Sequence, residues 1–568
     1  MTQTKSGPEI SAHQAAPNAQ TTAELTVIIL AAGEGVRMKS TKPKVLHSAA
    51  GRSLLGHAIA AAKGLGPDRL VVVVRHGRDQ VAAEATRLAP DVVIADQDSI
   101  PGTGRAVQCA LAALDQPSAR AAASPEPASA NPVPAATDAA GATRRSVADS
   151  PVPAAATADA AGLPSRSATA NPVPGGEAER LVVICGDTPL LDSATLAALV
   201  ASHEADSNAA TLLSAVLDDP FGYGRIVRDP NGQVERIVEQ RDATAEQAAI
   251  NEINAAAYVF SGPALRSALA ELTADNAQQE VYLTDVVAIM RSQDQPVRAV
   301  ISDDPSVVLG VNDRAQLAQA AAELNRRIVH QAMIDGVTVI DPATTWIDAD
   351  VQLATDVTLG PGTHLAGSTS VGEGSGIGPF TTLVDTRVGR GATVDRTKAT
   401  EAVIGDGANV GPFTHLRPGT VLGADTKSGS FTELKAAQIA DGAKVPHLAY
   451  VGDALVGAGA NVGAGTIFAN YDGVSKQKCE IGPAVRIGSN NVIVAPVEMG
   501  AGAYSGAGTI VRGDVPPGAL AVSAGPQRVI EEWTIRKRAG SDSAIAAERA
   551  LREQGAKDTP TPETLTDN

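Results

Sequence analysis

Residues 359–383 read Leu359-Gly-Pro-Gly-Thr-His-Leu365-Ala-Gly-Ser-Thr-Ser-Val371-Gly-Glu-Gly-Ser-Gly-Ile377-Gly-Pro-Phe-Thr-Thr-Leu383, with an aliphatic residue at every sixth position. A helix repeats every 3.6 residues and a strand every two, so neither sustains a step of six. The step recurs later in the chain, at Ile404, Val410, Leu416 and Leu422; Ile439, Val445 and Val451; Val456, Val462 and Phe468; and Ile481, Ile487, Ile493 and Met499. Small residues fill most of the positions between.

This hexapeptide pattern is typical of a parallel β-helix. Each hexad supplies one short strand and a corner, its aliphatic side chain points inward, and three hexads close one triangular coil. Hexapeptide proteins coil to the left, an exception to the usual right-handed crossover. Aromatic residues are only 2% of the chain, which agrees with a core of small aliphatic side chains. We therefore predict a left-handed parallel β-helix over residues 336–530.

The first half of the chain has a different pattern. Short apolar runs at Thr26–Ala32, Leu70–Val74 and Leu181–Cys185 are continuous rather than alternating, and helical spacing separates them. Continuous apolar strands are typical of a parallel sheet covered by helices on both faces. We predict an α/β domain over residues 25–312, with a Rossmann-like, mostly parallel sheet.

Other segments divide these domains or flank them. Residues 116–179 repeat the phrase Asn-Pro-Val-Pro and lack large apolar side chains, so we predict a disordered surface insertion. An apolar seam over residues 313–335 predicts a linker helix. The polar leader, residues 1–24, and most of the tail, residues 531–568, are predicted to be disordered.

The overall composition excludes several classes of protein. A net charge of -17 argues against an extended nucleic-acid surface, and no apolar run has the length of a membrane helix. Three cysteines, Cys109, Cys185 and Cys479, cannot form a disulfide framework and suit a reducing compartment. We expect a cytoplasmic protein without nucleic-acid or membrane partners.

A glycine-rich loop follows the first predicted strand. In residues 30–38, Gly33 and Gly35 let backbone N–H groups approach phosphates, and Arg37 adds a cation. Lys44 follows Pro43 in a stiffened turn nearby. The loop is neither a Walker loop nor the dinucleotide pattern, so taken alone it is weak evidence for nucleotide binding, and Lys44 alone could be a solvated charge.

The motifs in this half resemble those of the sugar nucleotidyltransferases, whose signature is LxxGxGxRM…PKxL. Further matches are Gln97 with residues 101–104, Cys185-Gly186-Asp187, Gly222–Ile226, Ile237–Glu239, Glu252–Asn254 and Gly310–Asn312. Together with the hexapeptide half, residues 25–116 and 180–530 resemble the bacterial family of bifunctional N-acetylglucosamine-1-phosphate uridylyltransferases/glucosamine-1-phosphate N-acetyltransferases.

The resemblance implies a Mg²⁺-dependent uridylyl transfer in the first domain. Asp187 and Asn312 would hold the metal. Arg37 and Lys44 would face phosphates, because two anions react and the site needs positive charge and positioning. The implied UTP- and UDP-N-acetylglucosamine-binding residues are Leu30, Ala31, Ala32, Gly33, Arg37, Lys44, Gln97, Gly102, Thr103, Gly224, Glu239, Asn254 and Asn312.

In the hexapeptide half, Arg417 and Lys435 lie eighteen residues apart, which is one coil, so they should stack on one face. Two neighbouring cations favour an anion between them, and a sugar phosphate is the natural candidate. His447 follows the inward Val445 closely and should point outward. The resemblance makes His447 the general base that deprotonates the amino sugar.

The resemblance assigns the remaining residues of this half to two substrates. Glucosamine-1-phosphate would bind to Arg417, Lys435, Tyr450, Asn461 and Lys476. Acetyl-CoA would bind to Ala464, Asn470, Tyr471, Ser489 and Ala507. Residues 468–480 leave the six-residue step and should project as a loop. Some family members carry an arginine for the CoA phosphate where this chain has Ala524.

Three functions remain open at this point: the bifunctional enzyme, a monofunctional sugar-1-phosphate nucleotidyltransferase with a structural or regulatory β-helix, and a catalytically silent sensor or scaffold. His447, Tyr450, Asn461 and Lys476 distinguish the first from the second. Asp187 and Asn312 distinguish both from the third. By resemblance we also expect a homotrimer formed through the β-helix.

Overall fold

A computed structural model describes residues 24–116, 179–523, 525 and 527–557 of the protein. The predictions of a disordered leader and a disordered insertion, and the substitution at Ala524, concern residues that lie almost entirely outside this description. The chain forms two compact units. The first takes the described residues up to Asp335 together with Trp346–Val351, and the second takes Gly336–Thr345 and the described residues from Gln352 onward.

A twisted sheet forms the centre of the first unit. The strands of this unit are β1 Leu25–Leu30, β2 Ser48–Ala49, β3 Arg52–Ser53, β4 Arg69–Val74, β5 Val93–Asp96, β6 Arg180–Cys185, β7 Ala210–Val216, β8 Arg225–Arg228, β9 Val234–Val238, β10 Glu252–Ser261, β11 Val297–Ile301 and β13 Trp346–Ile347. The order of strands across the sheet is β11-β7-β10-β6-β1-β4-β5, with β8 and β9 attached beside β10. Pairs β11/β7, β6/β1, β1/β4 and β4/β5 are parallel, whereas β10 is antiparallel to β6 and β7.

Helices cover both faces of this sheet, so its central strands are buried along nearly their whole length, as the continuous apolar runs predicted. Ser53 caps α1 by accepting from the Gly56 N–H at 3.0 Å, and Asp192 caps α4 in the same way. The helices are α1 Leu54–Lys63, α2 Arg78–Leu88, α3 Thr103–Leu114, α4 Ser193–Ala205, α5 Ala245–Ala248, α6 Gly262–Ala270, α7 Asp285–Ser292 and α8 Arg314–Ile334. Short 3₁₀ turns occur at Val36–Met38, Lys44–Leu46 and Pro305–Val308.

The second unit is a parallel β-helix with three faces. Most coils contribute one short strand to each face, and the strands of a face pair in register along the axis. Face A contains β12 Thr338–Val339, β15 Thr358–Leu359, β18 Gly376–Ile377, β21 Thr393–Val394, β24 Asn409–Val410, β27 Lys427–Ser430 and β30 Lys444–His447. Face B contains β16 His364–Ala366, β19 Thr382–Val384, β22 Thr397–Thr400, β25 Thr414–Leu416, β28 Glu433–Lys435, β31 Tyr450–Gly452, β33 Ile467–Ala469, β35 Val492–Val494 and β38 Ile510–Val511.

Face C contains β14 Gln352–Leu353, β17 Ser370–Val371, β20 Arg387–Val388, β23 Val403–Ile404, β26 Val421–Leu422, β29 Gln438–Ile439, β32 Ala454–Val456, β34 Cys479–Ile481 and β36 Val497–Met499. A last pair, β37 Tyr504–Ser505 and β39 Leu520–Ala521, closes the described coils. The two predicted fold classes, a mostly parallel α/β domain and a left-handed hexapeptide β-helix, are confirmed.

The aliphatic residues of the six-residue step point inward, and each is at most 3% exposed. The length of a coil varies more than the step suggests. Val371 pairs with Val388, seventeen residues on, while Leu416 pairs with Leu434, eighteen residues on. Buried threonines complete the core, because their hydroxyls bond to backbone carbonyl groups at the corners, as Thr363 does to the Gly360 oxygen at 2.7 Å.

One coil is longer because a loop interrupts it. Val456 pairs with Ile481, twenty-five residues on. The additional residues form an excursion that is closed where the Gln477 N–H donates to the Asn470 carbonyl at 2.9 Å, and where Tyr471 and Lys476 form an antiparallel bridge. The predicted loop is therefore present.

The C-terminal tail differs from the prediction. Instead of a mostly disordered segment, the described part of it contains α9 Trp533–Lys537 and α10 Asp542–Lys557. The second helix is rich in alanine and carries an Arg549–Glu553 pair at the i, i+4 spacing, with the two charges 2.9 Å apart. Across the described ranges, we find no helix that combines the length and the apolar character needed to cross a membrane.

Candidate active sites

The first site lies where parallel strands of the α/β unit end. The Gly186 N–H, just past β6, donates to the Leu30 carbonyl at the end of β1, and the Val311 N–H donates to the Asp187 carbonyl, each at 2.9 Å. Segments far apart in the sequence therefore meet at one edge of the sheet. In open α/β sheets, this edge is the usual position of a ligand site.

The glycine loop packs directly on Lys44. Gly35 adopts a left-handed conformation, with φ of 68°, and a Cβ there would lie 2.5 Å from the Lys44 Cβ. Lys44 forms an ion pair with Asp187, and its Nζ lies 3.4 Å from the Asn312 Oδ1. One ammonium group thus marks the point where the side chains of the two predicted metal ligands converge. Arg37 is exposed in the 3₁₀ turn that lies between Gly35 and Lys44 in the sequence.

The donor set at this point is small. Asp187 and Asn312 offer a carboxylate and an amide oxygen, which are the hard donors that Mg²⁺ prefers. Within the described parts of the chain, no cluster of three or more His, Cys, Asp or Glu forms a site for a metal. The residues therefore fit a Mg²⁺ ion that keeps waters and phosphate oxygens as its other ligands, and they do not form a cage made of protein alone.

The predicted uracil-reading residues lie together beside α3. Gln97 donates from Nε2 to the carbonyl groups of Ile100 and Gly102 at 3.0 and 3.1 Å. Gly102, with φ of 119°, passes so close to Val281 that a Cβ would lie 2.2 Å from its carbonyl oxygen. Thr103 accepts from the Leu283 N–H at 3.1 Å. The backbone from Ile100 to Thr103 is held in a fixed shape.

The three predicted sugar-binding residues are also neighbours. A Cβ on Gly224 would lie 3.5 Å from both Glu239 carboxylate oxygens, and the Asn254 N–H donates to the Gly224 carbonyl at 2.9 Å. Burial raises the pKa of Glu239, although its hydrogen bond from the Thr284 hydroxyl at 3.1 Å opposes that shift. Asn254 donates from Nδ2 to the Tyr258 hydroxyl at 2.6 Å.

The second site lies on the β-helix. Arg417 directly follows β25 and Lys435 ends β28, which are neighbouring strands of face B. Arg417 pairs with Glu433 at 3.0 Å, and the Lys435 Nζ lies 3.0 and 2.9 Å from the two Asp453 oxygens. The hydrogen bond to Asp453 raises the pKa of Lys435. Each of the two predicted phosphate-binding cations therefore has a carboxylate partner.

His447 ends β30 on face A, next to the corner that leads to face B. Val445 is buried and His447 is exposed, as the hexapeptide pattern predicted. Backbone hydrogen bonds between successive coils align a column of residues at this corner. The Gly465 N–H donates to the His447 carbonyl, the Asn490 N–H to the Ala464 carbonyl and the Gly508 N–H to the Ser489 carbonyl.

The column therefore contains, in order, His447, Ala464, Ser489 and Ala507. The last three are predicted acetyl-CoA residues, and the first is the predicted base. At the strand spacing of about 4.8 Å, the column runs for roughly 14 Å along the axis. The structure thus arranges these four residues in a straight track beginning at the imidazole.

Other predicted residues of this site are divided between two faces. Tyr450 and Asn470 close over Gly452, where a Cβ would lie 2.5 Å from both the Tyr450 hydroxyl and the Asn470 Nδ2. Tyr471 is 59% exposed and donates from its hydroxyl to the Gly473 carbonyl. Asn461 instead bridges to Lys444 on the other side of the corner, so within one protomer it lies on the face of His447.

Comparisons with known proteins agree with this two-part geometry. A family model described as the MobA-like NTP transferase domain matches residues 27–289. A bifunctional protein GlmU of Mycolicibacterium gilvum is 51% identical over 529 residues, 92% of this chain and 94% of its own length. Those of Kineococcus radiotolerans and Clavibacter sepedonicus are 49% and 48% identical, over 92% and 93% of this chain and 94% and 95% of their own lengths.

The chain belongs to the GlmU family.

Membership of the GlmU family, together with the two units, confirms the predicted enzyme class. The chain is a bifunctional uridylyltransferase and N-acetyltransferase of UDP-N-acetylglucosamine synthesis. The monofunctional alternative is not favoured, because the similarity to GlmU proteins extends through the β-helix and covers more than nine-tenths of the chain.

The sequence reasoning did not single out three residues that the structure places beside the predicted site residues. Tyr223 lies inside the quoted Gly-Tyr-Gly motif, and burial raises the pKa of its hydroxyl, which lies near the Gly310 backbone and Asp187. Glu433 lies two residues before Lys435. Asp453 lies eighteen residues after Lys435, the same one-coil spacing that placed Lys435 after Arg417. That spacing, applied once more, would have found it.

Proposed function

We propose that the two sites act in sequence on one sugar phosphate. The β-helix acetylates glucosamine-1-phosphate from acetyl-CoA, and the α/β unit then transfers a uridylyl group from UTP to the product and releases pyrophosphate. The observation that carries this proposal is the presence, in one chain, of two separate constellations: Lys44 with Asp187 and Asn312, and Lys435 with the corner column that starts at His447.

For uridylyl transfer, the sugar-phosphate oxygen attacks the α-phosphorus of UTP and the bond to the pyrophosphate breaks. Arg37 faces the leaving phosphates, and Lys44 neutralises phosphate oxygens at the reacting centre. Bound Mg²⁺, held by Asp187 and Asn312, would supply further neutralisation of the phosphates. Residues 30–33 approach the triphosphate through their backbone.

Selectivity in this site comes from two further groups of residues. The segment that contains Gln97, Gly102 and Thr103 reads the uracil ring. Gly224, Glu239 and Asn254 hold the N-acetylglucosamine moiety. The short distance between Gly224 and the Glu239 carboxylate supports this role, because it places the two predicted sugar-binding residues in contact.

For acetyl transfer, the amino group of the sugar must first lose a proton, because only the free amine is a nucleophile. His447 accepts that proton, the amine attacks the thioester carbonyl, and the carbon–sulfur bond breaks to release CoA. The sugar phosphate lies on Arg417, Lys435 and Lys476, with Tyr450 and Asn461 around the sugar. Acetyl-CoA lies along the corner column, with Asn470 and Tyr471 beside it.

We also propose that the protein is a homotrimer assembled through the β-helix. An exposed apolar ridge supports this proposal: Phe380, Phe413, Phe431 and Leu448 are each more than half exposed and lie at corner positions. Phe413 and Phe431 stack with their ring centroids 5.1 Å apart. The ridge ends beside His447, so a neighbouring protomer packed on it would lie next to the base. Sedimentation equilibrium that gives three protomers supports this, and a monomer refutes it.

We place the enzyme in the cytoplasm, because its three cysteines are unpaired thiols and suit a reducing compartment.

Mass spectrometry of products tests the two-step proposal. Purified protein is incubated with glucosamine-1-phosphate, acetyl-CoA, UTP and Mg²⁺, and in parallel reactions one component is omitted. We expect UDP-N-acetylglucosamine in the complete reaction, only N-acetylglucosamine-1-phosphate without UTP, and only the first product when Mg²⁺ is chelated. Absence of acetylated sugar from the complete reaction would refute the role of the β-helix while leaving uridylyl transfer testable with added N-acetylglucosamine-1-phosphate.

A further inference from the structure

Asp453 connects the two halves of the β-helix site. It follows β31, and its N–H donates to the Lys435 carbonyl at 2.9 Å. Its carboxylate accepts from the Lys435 ammonium with both oxygens, at 3.0 and 2.9 Å, and Oδ2 also accepts from the Asn470 Nδ2 at 2.6 Å. One oxygen is therefore shared between a predicted sugar-phosphate residue and a predicted acetyl-CoA residue.

The contacts of Asp453 are sheltered from water. Its side chain is 16% exposed and that of Lys435 is 19% exposed, while Asn470 is 7% exposed. Burial raises the pKa of Asp453, but the hydrogen bonds from Lys435 and Asn470 outweigh that effect and the pKa is lowered overall. The carboxylate is thus ionised at neutral pH, and charged hydrogen bonds of this kind are among the stronger ones.

The surroundings of Lys435 explain why an anion is needed there. Arg417 follows the neighbouring strand, and the charge of Lys476, from the excursion loop, acts on Asp453 and helps to lower its pKa. Three cations close together repel one another, and the Glu433 carboxylate is engaged by Arg417. Asp453 is the carboxylate that neutralises Lys435 and also holds it in one rotamer by a two-point contact.

We propose that Asp453 is a positioning residue of the acetyl-transfer site, which holds Lys435 in place for the substrate phosphate, competes with that phosphate for the ammonium, and fixes Asn470 on the acetyl-CoA side. This inference rests on the proposed function of the β-helix. Because the phosphate must share Lys435 with an internal carboxylate, Asp453 weakens ground-state binding of the sugar phosphate and in exchange supplies the correct geometry for the reaction.

The inference predicts opposite changes in two kinetic constants. In Asp453→Asn the competing charge is gone but one amide oxygen can still accept from Asn470. We expect KM for glucosamine-1-phosphate to fall and kcat of acetyl transfer to fall, each by about tenfold, which is the typical effect of one charged hydrogen bond. In Asp453→Ala the acceptor for Asn470 is lost too, so KM for acetyl-CoA should also rise.

The experiment measures both activities of the full-length chain for wild type, Asp453→Asn, Asp453→Ala and a control, Glu373→Gln. Glu373 is exposed in an earlier coil, so its variant removes one charge without touching the site. Uridylyl transfer should be unchanged in all four proteins, which verifies that the effect is confined to the β-helix. A fall in KM for the sugar phosphate together with a fall in kcat supports the proposal. An unchanged KM or a rise in KM overturns it, because a merely structural residue would not tighten binding.

Binding of inorganic phosphate, measured by calorimetry, distinguishes this inference from the proposed function. We expect Asp453→Asn to bind phosphate about tenfold more tightly than wild type and Glu373→Gln to match wild type. If wild type acetylates nothing, the proposed function fails, and the phosphate titration still decides the role of Asp453. Equal affinities in wild type and Asp453→Asn would refute that role. If Asp453→Ala does not fold, Asp453→Asn alone decides the outcome.

Discussion

In each of the two proposed active sites, a charged side chain occupies the place where we expect a ligand of the same sign to bind. In the α/β unit, the Lys44 ammonium contacts the side-chain oxygens of Asp187 and Asn312, the two residues that we assign to a metal ion. In the β-helix, the Asp453 carboxylate lies on Lys435, the cation that we assign to a phosphate. The first site therefore contains a cation where a cation is to bind, and the second contains an anion where an anion is to bind. In each site, the lysine is paired with a carboxylate of the chain itself.

The sites also differ in how the chain assembles them. Lys44 lies 143 residues from Asp187 and 268 residues from Asn312 in sequence, and only the crossings of the sheet bring them together. Lys435 lies one coil from both Arg417 and Asp453, so the repeat itself places the three residues. The first site is a product of long-range topology, and the second is a product of local periodicity.

The sharpest test of this separation is His447→Ala. Loss of the proton acceptor should lower kcat of acetyl transfer by about 1,000-fold, within the range typical of general bases, and leave uridylyl transfer unchanged. Coupled assays of CoA release and pyrophosphate release measure the two rates. His364→Ala, an exposed histidine in an earlier coil, is the matched control and should change neither rate. Simultaneous loss of both activities in His447→Ala would contradict independent sites.

Asp187→Ala is the converse test and should have the next largest effect. It removes the only carboxylate of the predicted metal site and leaves Lys44 without its ion-pair partner, so uridylyl transfer should fall by about 100- to 1,000-fold. Acetyl transfer should remain at the wild-type rate. Asp91→Ala, at an exposed position of the same unit, is the control. A variant that retains full uridylyl transfer would remove Asp187 from the site.

Gly452→Ala should have a moderate effect, limited to the β-helix site. The added methyl group would meet the Tyr450 hydroxyl and the Asn470 Nδ2, which are the tips of side chains, so they must move aside. We expect acetyl transfer to fall by about tenfold, because small displacements of positioning groups are costly to catalysis. The melting temperature should hardly change. Gly376→Ala, whose Cβ would meet nothing within 4 Å, is the control. A large loss of stability would contradict this expectation, because it would show that the Tyr450 and Asn470 side chains cannot move aside.

Deletion of residues 121–170 should have the smallest effect. Both ends of the insertion lie at one side chain: Arg266 donates to Asp115 at 2.9 Å and contacts Glu179 at 3.4 Å. A short remaining linker can therefore join positions that are already neighbours. We expect both catalytic rates within about twofold of wild type, since lengthening or shortening a surface loop costs little free energy. A protein that fails to fold would show that the insertion is structural.

Much of the second site could be predicted from sequence, because a fixed period converts spacing directly into position. The step of six placed Val445 inside and His447 outside, and the step of eighteen placed Arg417 beside Lys435. No comparable rule relates Lys44 to Asp187, whose ion pair depends on the order of strands in the sheet. For that site the sequence supplied the residue types through resemblance, and the geometry had to come from the structure.

The prediction for the described part of the tail was wrong for a different physical reason. We predicted disorder for most of residues 531–568, although residues 542–557 contain many strong helix formers and place Arg549 and Glu553 one turn apart. Ala544 is fully buried. High charge is compatible with a stable helix when the charges are paired along one side and small residues occupy the other, so composition alone was a poor guide here.

In the corner column that begins at His447, the number of coils sets the distance along the axis. Each further coil advances by one strand spacing, about 4.8 Å. If acetyl-CoA lies along this column as we propose, the number of coils between His447 and Ala507 sets the distance over which its pantetheine arm must extend. Removing one whole coil between Ala464 and Ala507 would shorten that distance by one strand spacing and leave His447 in place. The enzyme would then favour an acyl carrier with a correspondingly shorter arm.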